Sequence, residues 1–364
     1  MKITAPDNIR AAFARAAKGK GRMASVQKFA ANLDANLENV RRLLLEKTYR
    51  TSPYTRKKVF EPKERELFVL PFAPDRIVHH ALMNVLAPIW AGLFISDSYA
   101  CIPGRGVHSG SRRTMEFVRK NRYALKCDVS KFYPSIDHAV LLSIIERKIK
   151  CPDTLWLIRE IVASVGGGKN APIGNYTSQW FGNLYMNELD TYAKTVLGCR
   201  NYIRYNDDFC VFHDDKKFLH DRREKIGEFL SVKLKLSFSC ADVFPVSRGV
   251  DFLGYRHFDN YILCRKSTAK RVKKRLEKLP GLLARGGITA EQFRSSVGST
   301  WGWLKHANSH NLAVAVKFDE LRKEAQNHEQ IFGVRGGRHA AHGREEGRAG
   351  DDFGETNNRS EVQD

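Results

Sequence analysis

The sequence predicts an α+β protein, with helical segments at both ends and short strands between them. Three observations predict this class. Apolar residues recur at near-helical spacing in residues 7–50, two apolar strands flank a tight polar turn in residues 202–213, and a long basic helical pattern begins near residue 267. With 364 residues, the chain can form two or three structural units around a large core.

The first 95 residues are predicted to be helical on either side of an extended segment. In residues 7–50 the residues at near-helical spacing are Phe29, Leu33, Leu37 and Leu44. Residues 53–72 are predicted to be extended, with the charged turn Pro62-Lys63-Glu64-Arg65 between two apolar runs. A helix is expected over residues 75–95, with Asp75 as its candidate N-cap. Its predicted apolar face consists of Ile77, Val78, Leu82, Val85, Leu86 and Ile89.

The remaining residues are predicted to form further helices and strands. A β-hairpin is expected over residues 202–213, because Asn206-Asp207 is turn chemistry between two apolar runs. The other predicted strands are residues 122–129 and segments near residues 234–238, 250–255 and 261–264. The predicted helices are residues 138–148, 153–165, 177–196 and 216–230, and residues 267–321 are predicted to form a separate helical unit that is very basic at its start.

The net charge is the first feature that bears on function. Lys and Arg number 61 against 40 Asp and Glu, which gives a formal net charge of +21. Such a surplus favours a polyanionic partner, because basic side chains that neutralise phosphates release counterions. Residues 331–364 are predicted to be a disordered tail, rich in glycine and charge and almost without apolar residues. The tail does not supply the surplus, since residues 1–332 hold 56 basic and 33 acidic residues. A ribosome-associated protein or a merely basic surface is the alternative.

Two further features exclude classes of protein. The N-terminal residues contain no apolar signal region, and no run approaches the roughly 18 apolar residues of a membrane-spanning helix. We therefore expect a cytoplasmic protein that does not enter membranes. The seven cysteines are scattered without a Cys-x-x-Cys pair, so neither a zinc site nor a disulfide framework is expected.

The acidic pair Asp207-Asp208 differs from the other acidic pairs in its surroundings. It lies in the turn of the predicted hairpin, whereas the pair at residues 214–215 adjoins two lysines and the pair at residues 351–352 lies in the predicted tail. Two carboxylates at a partly desolvated turn repel each other unless a cation is bound between them. Mg²⁺ prefers oxygen ligands of this kind. The pair therefore predicts a metal site.

A third carboxylate is expected to reach this site from another strand. Asp128 ends the predicted strand over residues 122–129 and is followed by the aromatic pair Phe132-Tyr133. A carboxylate at a strand end, next to an aromatic wall, suits a metal site that faces a substrate. Alone, Asp128 would be interpreted as a strand-ending N-cap. Together with Asp207 and Asp208 it becomes a candidate ligand.

The order of these motifs resembles that of reverse transcriptases over about residues 55–310. Residues 128–133, Asp-Val-Ser-Lys-Phe-Tyr, resemble the first palm motif. Residues 205–208 resemble the Tyr-x-Asp-Asp motif, with a separation of 79 residues from Asp128 to Asp207. Phe252-Leu253-Gly254-Tyr255 resembles the primer-grip hairpin, and the basic residues after Lys266 fall where the thumb of these enzymes begins.

The motif at residues 173–183 narrows the resemblance to the reverse transcriptases of diversity-generating retroelements. Group II intron and retroviral enzymes usually carry Gln-Gly at its start and Ser-Pro later. Here Ile173 replaces the glutamine before Gly174, and Gln179 replaces the proline after Ser178. The same likeness holds for two shorter segments, residues 99–106 and 245–249. A group II intron-like or retron reverse transcriptase is the alternative within the class, and a non-catalytic RNA-binding protein on a palm fold is the alternative outside it.

The resemblance implies a right-hand polymerase with fingers, a palm built from an antiparallel sheet with helices, and a helical thumb. The implied divisions are an N-terminal helical extension (residues 1–52), fingers (53–122), palm (123–255), thumb (256–330) and the tail (331–364).

The resemblance also implies roles for the residues of the motifs. Asp128, Asp207 and Asp208 would bind two Mg²⁺ ions, for which Mn²⁺ can substitute, and would be the catalytic residues of phosphoryl transfer. Tyr133 would exclude the 2′-hydroxyl of a ribonucleotide. The residues implied to bind the deoxynucleoside triphosphate are Lys63, Arg65, Phe132, Tyr133, Ile173, Gly174, Ser178 and Gln179. The implied primer grip is Phe252, Leu253, Gly254 and Tyr255.

The implied partners follow from the retroelement. They are a template-repeat RNA, the primer and cDNA, deoxynucleoside triphosphates and an oligomer of a small basic accessory variability protein. In this family the RNA is copied with errors at adenines, and the cDNA replaces a variable gene segment. The lysine often found after the catalytic hairpin is not evident near residues 239–242, so the general acid for pyrophosphate release stays unassigned.

Overall fold

The computed structural model describes residues 2–60 and 64–336. Within them, helices combine with antiparallel sheets, which confirms the predicted α+β class. Lys63 and the part of the predicted tail beyond residue 336 lie outside the described residues. The chain divides into two compact units. Unit 1 extends to Thr268 and includes His306–Asn308, and unit 2 begins at Ala269. The five domain boundaries predicted above stay predictions.

Three amino-terminal helices form one side of the main core of unit 1. They are α1 (Pro6–Ala17), α2 (Ala24–Ala30) and α3 (Leu33–Leu45). Pro6 suits the start of α1, because the first N–H groups of a helix have no intrahelical partner. The buried Asn8 donates to the carbonyl oxygen of Ala81 at 3.0 Å, which ties α1 to helix α4 (Ile77–Ala91).

Two antiparallel sheets follow in unit 1. The first is a ribbon of β1 (Thr55–Val59) and β2 (Arg65–Val69). The second is a four-stranded sheet with the strand order β4-β5-β3-β6. Its strands are β3 (Tyr123–Val129), β4 (Asn201–Tyr205), β5 (Asp208–His213) and β6 (Phe238–Pro245).

The strands of the four-stranded sheet alternate between its two faces, as a period of two requires. Leu125, Cys127 and Phe209 belong to the main core on one face. Ala124 and Phe212 belong to a second, smaller cluster on the other face. The same alternation places residues 126, 128 and 208 on the second face.

Further helices pack around this sheet, the first of them in the smaller cluster and the others in the main core. They are α5 (Val107–Lys120), α6 (Phe132–Ser135), α7 (His138–Lys148), α8 (Pro152–Ala163), α9 (Tyr176–Thr191) and α10 (Lys216–Leu234). A three-stranded antiparallel sheet completes the strands, with β7 (Val250–Phe252), β8 (Tyr255–His257) and β9 (Ile262–Cys264).

Unit 2 is helical and has its own core. The helices from this point of the chain onward are α11 (Lys266–Ala284), which starts in unit 1, α12 (Ala290–His306), α13 (His310–Ala315) and α14 (Phe318–Gly336). Leu276, Phe293, Leu304 and Phe318 are buried in this core, and Trp301 stacks on Phe318 with ring centroids 5.7 Å apart. Residues 267–321, which were predicted to be helical and basic at their start, form α11, α12, α13 and the beginning of α14.

Four sequence predictions were wrong. The single strand expected near residues 250–255 is divided into β7 and β8 by a turn at Leu253-Gly254. Asp75 does not cap α4, because it lies in the preceding π-helical turn and accepts hydrogen bonds from the Tyr49 hydroxyl at 2.8 Å and the Ser52 amide at 3.0 Å. Ile89, expected on the buried face of α4, is 53% exposed. The strand expected near residues 234–238 is misplaced, because α10 continues to Leu234 and β6 begins only at Phe238. The alternating leucines 234 and 236 are buried at the helix end.

The structure also bears on the cysteines and on membrane-spanning helices. All seven cysteines are free. Among the helices of the described residues, none is long and apolar enough to cross a membrane.

Candidate active site

The hairpin of β4 and β5 brings the three predicted carboxylates together. β5 lies between β4 and β3, and Asp128 of β3 pairs directly with Asp208 of β5. Asp207 occupies the two-residue turn beside it, since Tyr205 pairs with Asp208 across the hairpin. Non-local pairing of β3 with β5 therefore brings Asp128 next to Asp207 and Asp208, which are 79 and 80 positions away in the sequence.

The three carboxylates line one cavity of about 800 Å³, which we call the carboxylate cavity. Four other predicted substrate residues share it: Arg65, Phe132, Tyr133 and Ile173. The cavity thus combines acidic groups, an aromatic pair and two basic residues, Arg65 of β2 and Lys131. This is the combination expected at a site that takes a metal-bound phosphate and a sugar.

Burial and mutual repulsion disfavour the ionised forms of Asp207 and Asp208 in the absence of a cation. Burial raises the pKa of Asp208 to about 7, against the opposing attraction of Lys126, and repulsion from Asp128 and Asp207 adds to the rise. Burial also raises the pKa of Asp207, and the charge of Asp128 adds to it while Arg65 opposes it. A nearby cation stabilises the ionised form of such carboxylates.

The donor set fits a hard divalent cation. Asp208 Oδ1 is buried and has no aligned hydrogen-bond donor among the described residues, although Lys126 Nζ lies 3.2 Å away. Carboxylate oxygens are the ligands that Mg²⁺ prefers. In the described part of the chain, no group of three His, Cys, Asp or Glu side chains is already arranged to hold a metal ion. The carboxylates therefore share a cavity without forming a closed set of ligands.

The aromatic pair Phe132-Tyr133 forms the wall of the cavity. Lys131 adopts a left-handed conformation with φ 42°, which turns the chain from β3 into the short helix α6. The rings lie against Gly182 of α9, where a Cβ atom would be 3.1 Å from Phe132 and 3.3 Å from Tyr133. The Tyr133 hydroxyl donates to Asn206 Oδ1 at 3.0 Å. Burial raises the pKa of Tyr133, so the hydroxyl stays a hydrogen-bond donor.

Ile173 lies between the carboxylate cavity and a second cavity of about 440 Å³, which we call the basic cavity. The Ile173 carbonyl oxygen accepts from the Phe68 amide at 2.8 Å, which joins this loop to β2. Gly174 has φ 125°, and a Cβ there would lie 2.4 Å from the Phe68 carbonyl oxygen, so only glycine fits. The cations of the basic cavity are Lys20, Arg65 and Arg76.

Gly174, Ser178 and Gln179 line the basic cavity but not the carboxylate cavity. Ser178 is buried in the first turn of α9, and its hydroxyl has no partner within the residues described. Gln179 is exposed. The predicted nucleotide-binding residues that the structure describes thus line two neighbouring cavities, and Arg65, Tyr133 and Ile173 line both.

The predicted primer-grip residues form a tight hairpin that lines neither cavity. Leu253 and Gly254 make the turn between β7 and β8, both with positive φ. Leu253 packs against Gly110 of α5, where a Cβ atom would lie 2.8 Å from its Cδ1. The Tyr255 hydroxyl and His108 Nε2 are 3.0 Å apart. Phe252 and Tyr255 are fully buried.

Four residues of the site were missed by sequence reasoning. Lys126 approaches Asp208, and the Ser239 hydroxyl donates to the Asp128 carboxylate. Asn206 bonds to Tyr133, and Arg204 donates to the Asn206 carbonyl oxygen at 2.8 Å. For Lys126 a signal was present, because strand alternation places it on the same face as residue 128.

Comparison with known proteins decides the family. Residues 57–257, more than half of the chain, match the family described as reverse transcriptase (RNA-dependent DNA polymerase), and this stretch includes all three carboxylates. The chain belongs to the reverse transcriptase family. This membership, with the mixed helices and antiparallel sheets, confirms the predicted right-hand polymerase fold class.

Individual relatives are distant. The chain is 25% identical over 276 residues to Protein YkfC of Escherichia coli (strain K12), covering 62% of this chain and 72% of YkfC. It is 21% identical over 219 residues to the group II intron-encoded protein LtrA of Lactococcus lactis subsp. cremoris, covering 56% of this chain and 36% of LtrA. A structure of telomerase from Candida albicans with a TWJ fragment of telomeric RNA is similar over 77% of this chain and 58% of that chain, at 12% identity and a TM-score of 0.44.

Proposed function

We propose that the chain is an RNA-directed DNA polymerase that works by metal-assisted phosphoryl transfer. The observation that carries the proposal is the carboxylate cavity itself. Asp128, Asp207 and Asp208 lie there beside Tyr133 and Arg65, and each of these residue types has a use in nucleotide addition. Family membership of residues 57–257 supports the same activity.

The residues of the cavity suggest a separate role for each group in nucleotide addition. A primer 3′-hydroxyl attacks the α-phosphate of a deoxynucleotide, and pyrophosphate leaves. Asp128 and Asp207, supported by Asp208, would hold two Mg²⁺ ions, which supply charge stabilisation for the attacking and leaving oxygens. Arg65 neutralises the triphosphate, and we assign the same role to Lys63. Tyr133 and Phe132 bound the space for the sugar, and Ser239 and Lys126 orient the carboxylates.

Primer extension tests the proposed activity. Purified chain is given an RNA template, an annealed DNA primer, deoxynucleotides and Mg²⁺, and the products are resolved by length. Elongated DNA complementary to the template is expected. A non-catalytic RNA-binding protein would retain the template–primer and leave the primer unextended, which would overturn the proposal.

RNA binding is expected to be strongly salt-dependent and to survive removal of residues 333–364. Residues 1–332 hold the positive surplus, so the phosphate contacts that release counterions should remain. Filter binding between 50 and 200 mM salt, for a protein with roughly six phosphate contacts, should show a loss of affinity on the order of 10³-fold. For the truncated chain, the logarithm of the binding constant should fall with the logarithm of the salt concentration at the same slope. A large loss of affinity on truncation would contradict the assignment.

We further propose that the enzyme serves a diversity-generating retroelement in the cytoplasm of a bacterial, archaeal or phage-infected cell. The support is the replacement of glutamine by Ile173 and of proline by Gln179. The RNA copied would be a template repeat, and a small basic accessory variability protein would be the partner. The position of Ile173 also supports the assignment to this class of retroelement, because Ile173 lines both cavities and would contact a nucleotide pair bound there.

A group II intron-like or retron enzyme is the second candidate, and the relatives favour it. LtrA is an intron-encoded protein, and the chain is also 30% identical over 88 residues to Nuclear intron maturase 1, mitochondrial, of Arabidopsis thaliana. These matches cover 36% and 12% of those proteins. A near-repeat pair in the neighbouring DNA, differing at adenines, would favour the retroelement, and its absence would favour the intron-like enzyme.

Replacing Ile173 by glutamine is expected to reduce misincorporation opposite template adenine. Isoleucine has no side-chain hydrogen-bond group, whereas glutamine can hold a nucleotide in pairing geometry. One positioned hydrogen bond contributes roughly 0.5–1.5 kcal/mol, or about two- to twelve-fold in selectivity. Sequencing of products made at matched overall activity measures the change. Equal misincorporation rates at all four template bases in both enzymes would show that Ile173 has no role in fidelity.

A further inference from the structure

The turn residue Asn206 connects two groups that nucleotide addition needs in fixed positions. Its side-chain oxygen accepts a hydrogen bond from the Tyr133 hydroxyl at 3.0 Å. Its side-chain nitrogen donates to the Asp207 carboxylate at 3.2 Å. One amide group therefore contacts both the aromatic wall and a predicted metal ligand.

The backbone of this turn is held from within the fold. Asn206 has φ 60°, in the left-handed region that asparagine adopts more readily than most residues. Its carbonyl oxygen accepts from Arg204 Nη1 at 2.8 Å. The Arg204 guanidinium pairs with Asp190 of α9 through hydrogen bonds of 2.7 and 2.6 Å, and neither side chain is exposed.

This buried pair has few alternative arrangements. Arg204 Nη1 also donates to Asn183 Oδ1 at 3.1 Å, and Asp190 Oδ1 also accepts from the Tyr202 hydroxyl at 2.7 Å. Two-point pairing of a guanidinium with a carboxylate fixes direction as well as distance. The backbone of Asn206, from which the side-chain amide extends, is therefore positioned by α9 and the hairpin.

We propose that Asn206 is a positioning residue that holds the Tyr133 ring at the sugar of the incoming nucleotide and the Asp207 carboxylate at its phosphate in one shared geometry. The inference rests on the proposed polymerase function. Without the amide, the ring is no longer tied through its hydroxyl, and a ribonucleotide can displace it. Sugar discrimination therefore depends on this hydrogen bond as well as on the size of the ring.

The test compares deoxyribonucleotide and ribonucleotide addition by four proteins. The wild type, Asn206→Ala, Tyr133→Phe and the double variant extend a primer by dGTP or GTP opposite a template cytidine, and kcat/KM is measured for each nucleotide. Asn206→Ala and Tyr133→Phe should each lower the ratio for dGTP over GTP by roughly two- to twelve-fold. The double variant should lower it no further than the larger single effect, because both changes remove one bond.

Asn201→Ala is the matched control. Asn201 lies on the same hairpin and donates to Asn121 Oδ1 at 3.0 Å, so the control removes a comparable bond that lies outside both cavities. Its sugar discrimination should equal that of the wild type. A role of Asn206 limited to turn stability would lower kcat/KM equally for both nucleotides. An unchanged ratio in Asn206→Ala, or fully additive effects with Tyr133→Phe, would overturn the inference.

Urea unfolding of the same four proteins separates this inference from the polymerase function. The hydrogen bond predicts coupling between Asn206→Ala and Tyr133→Phe in the free energy of unfolding, independent of any activity. If the wild type extends no primer but the coupling is present, the polymerase function fails and the positioning role fails with it, while the contact stands. If extension is normal and the coupling is absent, the inference alone fails.

Discussion

Asp207→Asn is expected to remove polymerisation while leaving the fold and RNA binding intact. The substitution keeps the size and one oxygen of the side chain but removes the charge that would hold a metal ion. Loss of charge stabilisation in a partly desolvated site should lower the rate of extension by roughly 10³-fold or more. Asp208→Asn should have a similar effect, because Asp208 lies in the same cavity and pairs with Asp128.

Primer extension, circular dichroism and RNA filter binding measure the three properties separately. Asp214→Asn is the matched control, because it neutralises an exposed carboxylate in a nearby acidic pair outside both cavities. This control should extend primers as the wild type does. Near-normal extension by Asp207→Asn protein would rule out its role as a metal ligand.

Tyr133→Val is expected to raise ribonucleotide incorporation relative to deoxynucleotide incorporation. The ring forms one wall of the carboxylate cavity, and it is held there by contact with Gly182 and by the hydrogen bond to Asn206. Valine opens space where a 2′-hydroxyl would lie. A change of this size in the pocket should lower the selectivity for deoxynucleotides over ribonucleotides by roughly 10- to 200-fold. The effect should exceed that of Tyr133→Phe, which keeps the ring.

Competition between dGTP and GTP in a single extension step directly measures the ratio of deoxynucleotide to ribonucleotide incorporation. Tyr123→Val is a matched control for loss of a tyrosine ring, since Tyr123 lies on β3, pairs with His213 and lines neither cavity. Its discrimination should not change. If Tyr133→Val shows the sugar selectivity of the wild type, Tyr133 does not act as a steric gate.

Local patterns in the sequence predicted much of the fold. Apolar runs on either side of Asn206-Asp207 predicted the hairpin that the structure forms as β4 and β5. The helix over residues 138–148 was predicted with the bounds of α7. Local patterns also misled: buried leucines at the end of α10 alternate as strand residues do, and Asp75 looks like an N-cap although its carboxylate binds Tyr49.

The rest of the site depends on contacts between distant parts of the chain. Nothing in the spacing of Asp128 and Asp208 shows that β3 pairs with β5 in a register that makes these residues partners. Arg204 meets Asp190 only because α9 packs beneath the hairpin. Ser239 reaches Asp128 only because β6 lies on the other side of β3. Register and helix packing are set by the whole core, so these partners could not be deduced from sequence spacing.

Sequencing of cDNA from cells that carry the gene with its adjacent genomic DNA tests the central claim most directly. Cells with the wild-type chain should contain cDNA complementary to a neighbouring RNA, with substitutions concentrated at template adenines. Cells with the Asp207→Asn chain, at equal protein level, should contain none. The absence of such cDNA from wild-type cells, or an equal amount in Asp207→Asn cells, would contradict the account.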